Sequence, residues 1–313
     1  MRQFQVGEKQ RLVKIVLIQG GSAAEDKQEN IENNLKIIDN VSIEKSDFIC
    51  FNELSTTPYF GIVHEPRYFD WAEPIPGPTT DAFAEKAKKY ECCILVPIFE
   101  KGNLGLYYNS VAVIGPDGEI IPGTLPNGTK VGSYRKVHLP LIEAPTPFGK
   151  GLVNEHYYFK GGPGFPVFDT PKVKVGVCIC FDRRFPETFR TMALQGCEIA
   201  FVPTASPIVT PEAGAATEMM FVTELQTRAL ENLIWVAGCN KGGYETLAGQ
   251  KMGYFGRSCI IHPTGQVIAE GPSTEPAILS ATIDLEEIAR VRSIFPIWKE
   301  RRPEAYHPGI TNT

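Results

Sequence analysis

The chain has 313 residues, 43% of them hydrophobic, enough for one large core or two modest ones. Its 29 glycines and 25 prolines form no periodic tract, which excludes a fibre and fits a loop-rich globular enzyme. The formal charge is −5 and the basic clusters, Arg183-Arg184 and Lys299–Arg302, are short, so a nucleic-acid partner is not expected.

In chain order, Val13–Ile18 is strand-like and Glu25–Val41 carries a helical surface pattern. The apolar run near the N-terminus is too short and too interrupted to span a membrane, and nothing later comes closer. Phe48–Phe51 reads as a short strand running directly into Asn52-Glu53. Pro74, Pro76 and Pro78 break the chain before a helix capped near Thr79 or Thr80 and ending near Tyr90. The segments CCILVPIFE and NSVAVIG are buried strands, and GPDGE between Ile114 and Ile121 is a hairpin turn. Val173–Cys180 is a strong strand, followed by a proline-opened helix at Pro186–Gln195, a strand at Ile199–Val202, a long helix at Pro211–Asn232 and a strand at Ile234–Cys239. RSCIIH, VIAE and AILSATI are three further strands with hairpin-like spacing, and Asp284 caps a last helix before an irregular tail from about 294 to 313. Alternating strands and helices with adjacent hairpins predict an α/β fold with mixed sheets in a single domain, residues 1–313.

The eight cysteines sit largely inside apolar runs such as VGVCICF, which reads as free thiols in a reducing, cytoplasmic compartment rather than as disulfides. The glycine-rich stretches at 102–105 and 161–164 lack the strand–loop–helix setting of a phosphate cradle. Five histidines without HxH or HExxH spacing give no expectation of a metal, and no cofactor is implied.

Three reactive side chains follow buried strands: Glu53 after FICFN, Lys136 in GSYRKVHLP and Cys180 at the end of VKVGVCIC. Taken singly they have plain readings, as a turn cap, a surface lysine and core filler. Taken together they form a chemical set. A thiol needs a base to become a nucleophile, a glutamate serves as that base, and an ammonium stabilises an oxyanion. Cys178, on the same side of the strand as Cys180, lies deeper between Val177 and Ile179 and is the weaker nucleophile candidate.

The sequence resembles the nitrilase superfamily of carbon–nitrogen hydrolases along almost its whole length. FNELS with Glu53, Tyr134-Arg135-Lys136-Val137-His138-Leu139, and Gly176 to Glu187 around Cys180 match the three family signatures in order. Arg228 to Gly243 and Gly256 to Glu270 are further family-like segments. The resemblance implies a four-layer α-β-β-α sandwich with two mixed β-sheets, assembled as a homodimer or a higher homo-oligomer. It also implies hydrolysis through a cysteine thioester, with Cys180 as nucleophile, Glu53 as base and Lys136 as oxyanion stabiliser. A second family glutamate corresponds to Glu155, with Glu143 as its competitor. His138 and His156 are expected to hold carboxylates by hydrogen bonding.

For the substrate, CFDRRFPE is similar to the matching segment of N-carbamoyl-D-amino-acid amidohydrolases, where tandem arginines bind a carboxylate. Arg183 and Arg184 take those positions here, with Phe181 and Ser206 beside them. A salt bridge from one arginine to Asp182 or Glu187 is the structural alternative. Tyr108, Phe185 and Tyr254 join Phe181 as possible apolar walls. Phe181 replaces that group's asparagine, and Ala205-Ser206-Pro207 lacks its amide, while FVPTASP looks more like carbamoylputrescine amidases. The leading expectation is therefore conversion of an N-carbamoyl amino acid of D type to amino acid, carbon dioxide and ammonia. The alternatives are a carbamoylputrescine or beta-ureidopropionate type amidase, an aliphatic or omega-amidase, a nitrilase, and a non-enzymatic scaffold.

Overall fold

The computed structural model describes residues 10–42, 45–208 and 211–311. Period-two patterning builds the first sheet. In the strand Leu12–Gln19, Val13, Ile15 and Leu17 enter one apolar cluster while Val16 and Ile18 enter another. Phe48 and Cys50 divide from Ile49 and Phe51 in the same way, so both faces of the sheet are buried. Its six strands run in the order Ala277–Asp284, Leu12–Gln19, Phe48–Phe51, Cys93–Lys101, Tyr107–Ile114 and Tyr134–Arg135. The three strands from Leu12–Gln19 to Cys93–Lys101 are mutually parallel and the flanking pairings are antiparallel.

Helices Lys27–Val41 and Pro78–Tyr90 cover the outer face through Ile31, Ile38, Phe83 and Ala87. The Asp26 side chain accepts from the amides of Gln28 and Glu29 and so starts the first of these helices. The second begins earlier than the sequence pattern suggests. Gly77 is its N-cap and Pro78 its first residue, with Thr80 Oγ1 accepting from the Gly77 amide.

The second sheet has eight strands, in the order Val267–Glu270, Cys259–Ile261, Trp235–Asn240, Ile199–Thr204, Lys174–Val177, Val167–Asp169, Gly123–Thr124 and Lys130–Val131. Lys174–Val177, Ile199–Thr204 and Trp235–Asn240 are parallel, joined by helices Pro186–Leu194 and Pro211–Asn232, which cover the sheet with Phe189, Met192, Phe221, Leu225 and Ala229. The two sheets face each other across one core, giving the four layers α-β-β-α.

One expectation needs correction. The last three strands are not a local hairpin series, because Ala277–Asp284 crosses to the other sheet and pairs with Leu12–Gln19 along its full length. Six residues separate it from Glu270, room enough to change sheets, and Leu12–Gln19 offers an unpaired edge there. Leu141–Thr146 and Gly149–Asn154 form a hairpin, as do Gly242–Leu247 and Gln250–Phe255, and neither is visible as alternation in the sequence.

Candidate active site

The parallel strands deliver the site. Glu53 follows Phe48–Phe51, Cys180 follows Lys174–Val177, and Ala205-Ser206 follow Ile199–Thr204. Strand ends are rigid and their following loops open, so chemistry collects there. Lys136 comes in from the edge strand Tyr134–Arg135, and Glu155 from the first turn after the Leu141–Asn154 hairpin.

All three charged groups are buried. Lys136 Nζ donates to Glu53 Oε1 at 2.7 Å and to Glu155 Oε1 at 2.6 Å, with no exposed surface of its own. Glu53 keeps an acceptor site open on Oε2, since Asn109 Nδ2 shares Oε1 with Lys136 at 2.7 Å while the Ala205 N–H reaches Oε2 at 2.8 Å. Glu155 Oε1 accepts the Tyr59 hydroxyl at 2.6 Å, while its Oε2 is buried with no hydrogen-bond partner among the described residues. Glu143 lies exposed on the hairpin, so Glu155 is the second glutamate on Lys136.

Burial would lower the affinity of Lys136 for its proton, but Glu155 and Glu53 outweigh it and hold the ammonium charged well beyond the ordinary lysine range. Burial pushes the Glu155 carboxyl up to about 7 against the pull of Lys136. The Cys180 thiol is pushed up to about 12 by burial and then by Glu53, with Lys136 and Arg183 opposing. The resting sulfur is a thiol, so it can act as a nucleophile only with a base to take its proton.

Cys180 does not end a strand as expected. The ladder stops at Val177, and Cys180 opens the short turn Cys180–Arg184 with φ of +48°, a conformation costing about 1–2 kcal/mol for a residue with a side chain. Asp182 locks this turn. It accepts from the Ile179 N–H at 2.9 Å, the His138 N–H at 3.0 Å and the Tyr134 hydroxyl, and its Oδ1 lies 2.8 Å from His138 Nδ1. Arg183 Nη1 donates to the Cys180 carbonyl at 2.8 Å. Cys178 is fully enclosed, whereas Cys180 lines a cavity of about 170 Å³.

The cavity is bounded by the Cys180–Arg184 turn, by Ala205-Ser206-Pro207, and by the two hairpins through residues such as Ile142 and Met252. Arg183, Arg184, Phe181 and Ser206 all line it. Arg183 is 1% exposed, with Nη2 donating to Ser206 Oγ at 3.2 Å and Nε 2.9 Å from Glu224. Arg184 Nη1 donates to Glu224 at 2.9 Å and keeps 29% of its side chain exposed. The arginines' acidic partner is thus Glu224 on the long helix, not Asp182 or Glu187.

Two further expectations fail, and a third is met at a different carboxylate. His156 is exposed and has no hydrogen bond to any described residue, because the turn Glu155–Tyr157 sends neighbouring side chains in different directions. His138 does hold a carboxylate, but that of Asp182 rather than one bonded to Lys136, and its ring stacks on Phe185. Of the four proposed walls only Phe181 lines the cavity. Tyr108 underlies Arg135 and Tyr254 is buried against Glu245. Tyr59, Asn109 and Glu224 escaped sequence reasoning, although an asparagine opening the apolar run NSVAVIG is a polar residue in a buried strand and hence a usable signal.

A four-layer sandwich with a thiol, an ammonium and two carboxylates gathered at its strand ends is the architecture of an amidohydrolase. Residues 14–293 match the carbon-nitrogen hydrolase family; the chain belongs to it and is a hydrolase. It is 32% identical to the N-carbamoylputrescine amidase of Solanum lycopersicum over 311 residues, 98% of this chain and 97% of that protein. It is 33% identical to the omega-amidase NIT2-A of Xenopus laevis over 283 residues, 90% and 92% of the two chains. The crystal structure of a carbon-nitrogen hydrolase from Helicobacter pylori G27 superposes with a TM-score of 0.84 at 27% identity, covering 95% of this chain and 97% of that one.

Proposed function

We propose that the chain hydrolyses an N-carbamoyl amino acid, with Cys180, Glu53, Lys136 and Glu155 as its catalytic residues. The observation that carries the substrate class is the charge of the cavity. Among the described residues its charged lining side chains are Arg183 and Arg184, with no described carboxylate beside them. Glu224 offsets one of the two guanidinium charges, which leaves the cavity cationic. A substrate carboxylate suits that wall, and the ammonium tail of a carbamoylated diamine does not. Arg183 is spent on Cys180, Ser206 and Glu224, so Arg184 presents the free guanidinium edge.

In this reading Sγ of Cys180 bonds to the ureido carbon while Glu53 takes the thiol proton and Lys136 faces the developing oxyanion. Glu53 returns the proton to departing ammonia, leaving a thioester that carries the amino-acid nitrogen. Water, deprotonated by Glu53, attacks the thioester and re-forms the thiol. The N-carboxy product then loses carbon dioxide to give the amino acid. An omega-amide of a dicarboxylate fits the same cationic wall, and the identity to an omega-amidase makes it the second reading. The eight buried, unpaired thiols support a cytoplasmic setting, and exposed Leu194 and Leu230 on the outer helices support self-association.

Ammonia release from N-carbamoyl-D- and L-amino acids, N-carbamoylputrescine and omega-amides tests this. Turnover should be fastest on a carboxylate-bearing ureido compound and lost in Cys180→Ala. Arg184→Ala should raise KM for that compound roughly tenfold, the loss of one charge-assisted hydrogen bond. Faster turnover of carbamoylputrescine, indifferent to Arg184→Ala, refutes the substrate assignment.

A further inference from the structure

A second buried ion pair stands one residue behind the site. Lys241 and Glu245, 2% and 3% exposed, are joined by an Nζ–Oε2 hydrogen bond of 2.5 Å. Burying two charges is costly, and neither residue lines the catalytic cavity. What the pair does is hold Tyr59. Glu245 Oε1 accepts the Tyr59 backbone N–H at 2.9 Å and the Tyr254 hydroxyl at 2.7 Å. The Tyr254 ring lies edge-on to the Tyr59 ring, with centroids 6.4 Å apart. Tyr59 is therefore fixed at backbone and ring, and its hydroxyl ends on Glu155 Oε1, the oxygen that also receives Lys136.

We propose that Glu245 is a positioning residue for hydrolysis, acting through Tyr59 to fix the Glu155 carboxylate that holds Lys136. The proposal rests on the catalytic reading above. Tyr59 donates to the ionised form of Glu155, so its loss leaves that carboxyl protonated to higher pH. A protonated Glu155 is a poorer acceptor for the Lys136 ammonium, and the oxyanion donor loses one of its two anchors.

The test uses the full-length protein and two readouts, the pH profile of kcat/KM on the best ureido substrate and the rate of Cys180 alkylation by iodoacetamide followed by mass spectrometry. In Tyr59→Phe the acidic limb of kcat/KM should move up by about one pH unit, with the alkylation profile altered over the same range. Glu245→Ala should lower kcat about tenfold with KM near the wild-type value, a loss of alignment rather than of binding. The double variant Lys241→Met/Glu245→Gln keeps an oxygen acceptor for Tyr59 and Tyr254 without stranding a charge, and should recover kcat to within about threefold. A merely structural role predicts a lower Tm with wild-type pH limb and kcat in Tyr59→Phe and Glu245→Ala, and that result overturns the proposal. If Glu245→Ala does not fold, the Tyr59→Phe profile decides alone. An inactive Cys180→Ala beside an unshifted Tyr59→Phe profile removes this proposal only, whereas an active Cys180→Ala removes the catalytic reading and this proposal with it.

Discussion

Arg135 and Lys136 are neighbours in the chain, and both end on buried glutamates, yet the two clusters are built differently. Glu100, under Arg135, is filled. Its Oε2 accepts from Ser110 at 2.5 Å and from Ser133 at 3.0 Å, and the Arg135 guanidinium spans both oxygens. Glu155, under Lys136, is not, because one oxygen carries two donors while the other is buried with none among the described residues. A saturated carboxylate has nothing left to offer a substrate and fixes structure. An unsatisfied one with its proton affinity shifted towards neutrality is the mark of chemistry. Arg135 ends the edge strand and Lys136 follows it directly, its N–H bonded to the Asn109 carbonyl at 2.8 Å, so adjacent side chains on extended backbone reach the two clusters on opposite faces.

The contrast is broken most forcefully at Lys136. Lys136→Met leaves Glu53 and Glu155 buried without their shared cation. We expect kcat to fall about a thousandfold, the scale of losing an oxyanion donor, together with about 3–5 kcal/mol of stability, the scale of stranding buried charge. Single-turnover kinetics and urea denaturation measure the two losses. A Lys136→Met protein as active as the wild type would make the two clusters equivalent and remove the chemical one.

Glu155 sharpens the contrast through pH. Its folded carboxyl keeps the proton up to about 7, against an ordinary 4.5. Between those values the folded state binds more protons than the unfolded state. The stability it contributes is therefore complete below pH 4.5 and is lost as pH rises through about 7. Catalysis runs the other way, because an ionised Glu155 holds Lys136 best. Across that window activity should climb while its contribution to stability declines, and Glu155→Gln should flatten the stability slope. Denaturation midpoints measured from pH 4.5 to 7.5 show this directly, and equal slopes in the two proteins would contradict it.

The sequence revealed this site unevenly, for physical reasons. Glu53, Lys136 and Cys180 are legible because each must follow a strand, and their signature segments recur in order. Most strands and helices are legible because burial imposes periodicity. Pairings are not, and Ala277–Asp284 crosses to a partner more than 250 residues away with no local sign of it. The same limit hides Glu224, which lies 40 residues beyond Arg184 on the long helix, and Tyr59, whose hydroxyl crosses 96 residues to Glu155. His156 follows Glu155 in the chain, but a one-turn helix buries the glutamate and leaves the histidine exposed, and no local pattern marks which of the two faces inward.

The smallest effect on activity belongs to the filled cluster. Glu100→Gln keeps the shape of the side chain but turns one oxygen into a donor facing Ser110, Ser133 or Arg135. Losing charge-assisted bonds at a buried position costs about 1–3 kcal/mol. Nothing in the Glu100 network touches Glu53, Glu155 or Cys180, so kcat/KM should stay within about twofold while the denaturation midpoint falls. The decisive quantity is the ratio of the two losses. If Glu100→Gln lowers kcat/KM as far as Glu155→Gln does, then Arg135 and Lys136 are coupled through the backbone that joins them, and saturation of a carboxylate does not separate structure from chemistry here.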